Sequence, residues 1–238
     1  MFLAGEIRAQ EAGVFLRLAE HQRAHGQYSG AIDNYTSYLR ARPNSPLIYE
    51  RRAECYFAIQ QYDQAVANYN CAIELGDTGV YGNRAAAYFE LKQYGQAIAD
   101  YNRAISLFPQ DAGFYESRGD AYQKLRLYYQ ALADYAKAIS LFRIEPDTYL
   151  KRADVYLKLG LYVKAISDYT RSIDLRPGEL FMFSARLPTF AELWSAKYRL
   201  HPDNTIASSY RKRALAYEAL GDFSAAQRDR LEANYFQP

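Results

Sequence analysis

The 238 residues carry 29 basic and 27 acidic side chains for a net charge of +2, without the basic excess of a nucleic-acid-binding surface. Half of the residues are hydrophobic, which excludes a disordered chain. Two cysteines, Cys55 and Cys71, are too few for a disulfide framework or a zinc site, and no apolar run reaches the ~20 residues of a membrane span.

The N-terminal stretch "MFLAGEIRAQ" meets Glu6 and Arg8 before any long apolar run, so no signal peptide is read there and a cytoplasmic protein is expected. From Val14 onward the chain repeats itself. The first, looser copy is "VFLRLAEHQRAHGQYSGAIDNYTSYL". Closer copies begin at Ile48, Val80, Phe114, Thr148 and Ser209, the third reading "VYGNRAAAYFELKQYGQAIADYNRAI". Their lead aromatics are Phe15, Tyr49, Tyr81, Tyr115, Tyr149 and Tyr210, with steps of 34, 32, 34, 34 and 61.

Each copy holds two stretches of helical length with apolar residues three and four apart, which predicts a pair of amphipathic helices. Gly26, Gly160 and Gly221 stand at the break between them, where a helix can end. Pro43, Pro109 and Pro177 follow second helices, which they cannot continue. Ala53, Ala85, Gly119, Ala153 and Ala214 in first helices face Ala65, Ala97, Ala131, Ala165 and Ala226 in second ones. Small against small lets the axes approach to about 8–10 Å.

A period of 34 with this pattern resembles the tetratricopeptide repeat family over nearly the whole chain. The implied fold is all-α, a right-handed α-solenoid of antiparallel helix pairs, in one domain over 1–238. Its repeats would span about 12–45, 46–77, 78–111, 112–145, 146–179 and 207–238, with an irregular segment at 180–206. One pair cannot cover its own apolar face, so copies must stack and leave a concave groove.

Three residues after the lead aromatics stand Arg52, Arg84, Arg118, Arg152 and Arg213. In the second helices Asn68, Asp100, Asp134, Asp168 and Asp229 recur in register, and the first copy has Leu18 and Asn34 instead. Because Asp occurs only where Arg does, the ladder reads as structural Arg–Asp pairs and not as a phosphate track.

By resemblance, residues two and five after each lead aromatic face the groove. The first row is Arg17, Arg51, Asn83, Ser117, Lys151 and Lys212; the second is Glu20, Glu54, Ala86, Asp120, Asp154 and Leu215. Arg17–Glu20, Arg51–Glu54 and Lys151–Asp154 are three apart and can pair within a helix for about 0.2–0.5 kcal/mol. Phe57 and Phe89 would add an apolar patch beside Asn83 and Ala86. The fragment "VYGNRAAAY" resembles the middle of a clamp that holds the C-terminal carboxylate of chaperone tails, with Asn83 on its asparagine. Glu50, Glu54, Gly113 and Ser117 stand where that clamp needs other residues, and carboxylates repel a terminal carboxylate. A protein or peptide partner other than such a tail is expected, with an internal or basic-containing segment bound in the groove.

The period fails between Leu180 and Ile206, which hold Phe181, Met182, Phe183, Phe190 and the single tryptophan, Trp194. This segment reads either as a worn repeat or as a second contact surface. The chain ends "RLEANYFQP", so Tyr235 and Phe236 would lie near an open edge suited to a homo-oligomer. His21 and His25 have metal-ligand spacing but no third ligand, and no P-loop, dinucleotide fingerprint or nucleophile elbow occurs. The sequence therefore predicts a non-catalytic protein-interaction module without cofactor, metal, nucleic-acid or membrane partner. A self-assembling scaffold built on the open edge and the aromatic segment is the alternative.

Overall fold

The structure, a computed structural model, describes residues 2–141, 146–175 and 204–236, and their side chains except at 2–10, 204 and 235. All regular structure among these residues is helical. The chain divides into two compact units, 1–110 and 111–238. The first holds α1 (Phe2–Ala24), α2 (Tyr28–Ala41), α3 (Pro46–Ala58), α4 (Tyr62–Glu74), α5 (Tyr81–Glu90) and α6 (Tyr94–Leu107). The second holds α7 (Ala112–Lys124), α8 (Tyr128–Leu141), α9 (Pro146–Lys158), α10 (Tyr162–Asp174), α11 (Asn204–Ala219) and α12 (Phe223–Tyr235). Each unit is a stack of helix pairs, one pair per sequence copy. Among the described residues no helix is long and apolar enough to cross a membrane.

The predicted small-residue contacts form. Ala53, Ala85, Ala153, Ala65, Ala97, Ala131 and Ala165 have no exposed surface, and Ala19 and Ala31 make the same contact in the looser first copy. No pair closes its own core. Ala31, Ile32, Tyr35 and Leu39 of the first pair are completed by Ile48 and Cys55 of α3. Tyr69 and Ala72 of α4 are completed by Val80 and Ala87 of the next pair, and Tyr135 of α8 by Val155 of α9. The stack continues beyond α10 as well: Ile173 packs with Ile206 and Tyr210 of α11. The chain thus resumes the repeat despite its broken period, and α11 starts three residues before the expected boundary at 207.

The turn inside every pair has one design. In the second copy the Gln61 N–H donates to the Tyr56 carbonyl (2.9 Å) and the Gln60 N–H to the Phe57 carbonyl (2.9 Å), the doubled bond that closes a helix on a left-handed residue. Gly26, Gly160 and Gly221 fill that place with φ of 72°, 71° and 82°, as the sequence implies. Gln60, Lys92 and Arg126 adopt the same backbone at 61°, 60° and 61° in copies where no glycine announces it.

The arginine ladder is structural. Arg84 donates to both oxygens of Asp100 (2.6 and 2.8 Å), and Arg118, Arg152 and Arg213 grip Asp134, Asp168 and Asp229 in the same forked way. Arg52 donates to Asn68 at 2.8 Å. Another guanidinium nitrogen reaches back one copy: Arg52 to Thr36 (3.0 Å), Arg84 to Asn70 (2.6 Å) and Arg213 to Thr170 (2.8 Å). The lead tyrosines lie under these guanidinium groups, with centroid distances of 5.2–5.7 Å at Tyr49, Tyr81, Tyr115, Tyr149 and Tyr210. Tyr-x-x-Arg is therefore one joint that ties two helices and two copies, and its partly buried, charge-assisted bonds favour a single register.

Candidate functional site

Within each unit, the face of interest is built by the first helix of each pair and one tyrosine of the second. In three copies this tyrosine is fully buried and donates to the carboxylate five after the lead aromatic. The bonds are Tyr35 to Glu20 (2.8 Å), Tyr135 to Asp120 (2.7 Å) and Tyr169 to Asp154 (2.7 Å). Burial first, and then the neighbouring carboxylate, push all three phenols above their ordinary range.

In the second unit these carboxylates are also held by the following copy. The Lys151 ammonium donates to Glu116 (2.6 Å) and to Asp120 (2.7 Å), and Glu116 accepts a further bond from Thr148. Lys212 donates to Asp154 at 2.7 Å. Burial alone would lower the Lys151 pKa, but Asp120 and Glu116 outweigh it and the net shift is upward. The expected pairing of Lys151 with Asp154 within one helix is therefore replaced by a bridge between copies. The reason is reach: four carbons carry the ammonium across the joint to two carboxylates, against one within its own helix.

The first unit is arranged differently. Glu20 is taken by Tyr35 and by Arg23 (3.1 Å), not by Arg17. Arg51 approaches Glu54 only to 3.7 Å, the single expected intrahelical pair that forms, and Arg23 reaches Glu54 at 3.5 Å. Tyr69, 2% exposed, makes no hydrogen bond to Glu54, its counterpart carboxylate, or to any other described residue. Glu54, Phe57, Tyr69, Asn83 and Ala86 instead surround a pocket of about 210 Å³. Phe57 also packs edge-on against Tyr62 (5.2 Å between centroids), and Phe89 does the same with Tyr94 (5.3 Å) without joining the pocket wall. One turn before Glu54, the half-buried Glu50 has its carboxyl pushed above the ordinary glutamate range, by burial first and then by Asp77 and Glu54.

The expected groove residues thus fall into two sets. Glu54, Phe57 and Asn83 converge on one pocket, whereas Asp120, Lys151, Asp154 and Lys212 close on one another. Ser117 lies on α7, one residue after Glu116. The sequence reading met Glu50 only as a carboxylate that opposes a chaperone-tail clamp, and it missed Glu116 and the bonds of the buried tyrosines; the row one after the lead aromatics was the signal for Glu116.

Phe181, Phe183, Phe190 and Trp194 lie outside the described residues, as does the side chain of Tyr235. Phe236 stacks on Tyr210 with 5.9 Å between centroids. His25 Nδ1 lies 2.7 Å from the His21 carbonyl oxygen, and among the described residues no cluster of three or more His, Cys, Asp or Glu could hold a metal ion. Both cysteines are free, and burial pushes the Cys55 thiol up to about 11, which keeps it unreactive.

Helix pairs that complete one another's cores define the helical solenoids. Within that class, the tetratricopeptide repeat model matches residues 16–80 and 116–179, together more than half of the chain, and a second repeat model matches 85–125. The chain belongs to the tetratricopeptide repeat family. Among solved structures it is similar to the C-terminal part of a repeat-containing protein of Cytophaga hutchinsonii (TM-score 0.72, 21% identity, 92% of this chain and 78% of that one). It is similar also to pilF of Pseudomonas aeruginosa (0.68, 18%, 97% and 94%) and to YrrB, described as having an unusual peptide-binding site (0.62, 17%, 70% and 87%). These identities establish a shared fold. No curated protein matches the sequence.

Proposed function

We propose that this chain is a non-catalytic adaptor that holds a peptide segment of a partner protein on the face formed by the first helices of its first unit. The observation that carries this reading is the open pocket of about 210 Å³ at α3 and α5, where a phenylalanine, a carboxylate, an unbonded buried tyrosine and an exposed asparagine amide meet. Phe57 and Ala86 offer apolar contact, and the polar groups around them fix orientation, as binding pockets require. Glu54 on the wall and Glu50 beside it disfavour a C-terminal carboxylate, so an internal segment is the better ligand. The fold relative YrrB, described as having a peptide-binding site, makes peptides the ligand to test first.

The test is a selection of displayed 12-residue peptides on the wild-type protein, followed by affinities for wild type and for Ala86→Trp, which fills the pocket. Peptides that bind the wild type and lose at least tenfold on Ala86→Trp, with helicity unchanged, support the reading. Failure to select any peptide, or equal binding to both proteins, overturns it.

A further inference from the structure

The copies can be compared at one station of the stack: the residues one and five after a lead aromatic, and the residue two after the next. Glu116 and Asp120 with Lys151 make such a station in the second unit. The same pair of carboxylates occurs at one other station, Glu50 and Glu54, where the following copy supplies Asn83. The remaining stations have Leu16, Gly82 or Leu150 in place of the first glutamate. The two-carboxylate station of the first unit therefore lacks the ammonium that its counterpart contains.

Two further differences keep that place open. Thr148, which donates to Glu116, is matched by the buried Val80, which has no donor for Glu50. Among the described residues Glu50 has neither hydrogen bond nor ion pair, and Glu54 is touched only at 3.5 and 3.7 Å, by Arg23 and Arg51. The tyrosine that donates to Asp120 in the closed station has Tyr69 as its equivalent, 98% buried by its 2% exposure and unbonded at the pocket wall. The Tyr69 hydroxyl is not a sealed, orphaned atom; it belongs to the wall of the open pocket, where a guest can bond with it.

We propose that the pocket formed by Glu54, Phe57, Tyr69, Asn83 and Ala86 is a lysine-binding site, where a lysine side chain of a partner polypeptide takes the place that Lys151 fills in the second unit. This rests on the peptide-binding reading above. Its three N–H groups donate to Glu50, Glu54 and the Asn83 side-chain oxygen. Its methylene stem lies along Phe57 and Ala86, apolar surface that suits a long aliphatic chain. Arg51 and Arg23 are the competing cations, and both remain outside the bonding distances that Lys151 achieves.

The peptides selected on the wild type provide the test. Each is resynthesised with its lysines replaced singly by norleucine, which keeps the stem and removes the charge. Affinities are then measured for wild type, Asn83→Lys and Glu54→Gln. A required lysine whose norleucine replacement costs at least tenfold, with a similar loss on Asn83→Lys and on Glu54→Gln, supports the site. Asn83→Lys supplies the missing ammonium from within, so its thermal midpoint should also rise by a few degrees, a readout that needs no ligand. Peptides that bind through the pocket without any required lysine overturn the inference and leave the adaptor reading standing. A midpoint that falls on Asn83→Lys overturns it as well. If no peptide is selected, both readings fail together.

Discussion

The pairs α3–α4 and α7–α8 differ mainly in what meets their carboxylates. Each presents two carboxylates one turn apart and a buried tyrosine behind them. In the second unit Lys151 joins the two acids and Tyr135 joins Asp120, so the surface is satisfied by its own chain. In the first, Asn83 replaces the lysine, Tyr69 has no hydrogen bond, and a pocket remains. The same scaffold therefore supports a closed joint and an open one, distinguished by Lys151 against Asn83, by Thr148 against Val80, and by whether the buried tyrosine bonds its carboxylate. A repeat protein can acquire a site by omitting a structural cation as readily as by adding a new ligand.

The comparison is best attacked first at what both units share. Asp100→Ala in the first unit and Asp134→Ala in the second each strand a part-buried arginine. Both should lose about 3–5 kcal/mol in urea unfolding, and a loss confined to one unit would show that the ladder is not common scaffold. The next test separates the units. Lys151→Met leaves Glu116 and Asp120 facing each other and should cost about 2 kcal/mol, between the values for surface and buried pairs. Asn83→Met, at the matching place, should be close to neutral. Equal losses would mean that the two stations are not different in kind.

A third experiment reads the open station by pH. The folded-state pKa of Glu50 is raised, so between the ordinary glutamate value and the raised one the folded protein holds more proton than the unfolded chain. Stability from this group therefore falls as pH rises through that window. Glu50→Gln should remove the slope and gain a fraction of a kcal/mol at pH 7, once solvent screening is allowed for. Unfolding free energies of both proteins between pH 4 and 7 would show it, and an unchanged slope would sink the assignment. The closed station loses stability with rising pH in the same sense but in a far more alkaline window, between the ordinary lysine value and the raised one of Lys151, so its stabilisation is intact through neutrality. The smallest effect is local to the turns. Gln60→Gly relieves a left-handed φ of 61° and should add about 0.5–1 kcal/mol, whereas Gly26→Gln in the matching turn should subtract a similar amount. Thermal unfolding of the two variants should shift in opposite directions.

The fold was highly legible, because repetition prints the same contact several times. Ala53 with Ala65 and Arg84 with Asp100 are readable once five copies are aligned, since variation at one position accompanies variation at its partner. The site was only half legible. Glu54, Phe57 and Asn83 were placed by register, but their roles depend on which neighbour each charge selects. Lys151 chooses Glu116 and Asp120 over Asp154 through reach across a joint, and one helix's spacing does not encode that. The left-handed turns at Gln60, Lys92 and Arg126 were hidden for a related reason: the doubled helix-closing bonds impose the backbone whatever residue stands there.

The joint between α10 and α11 has a further meaning. Arg213 still finds Thr170, and Lys212 still finds Asp154, although residues 175–203 separate the two helices where other copies are connected by a handful. The joint is thus specified by the surfaces it brings together and hardly by the chain that links them. In evolutionary terms it is a place where foreign sequence can be spliced in, or the order of the chain recut, without loss of the register that holds the repeats.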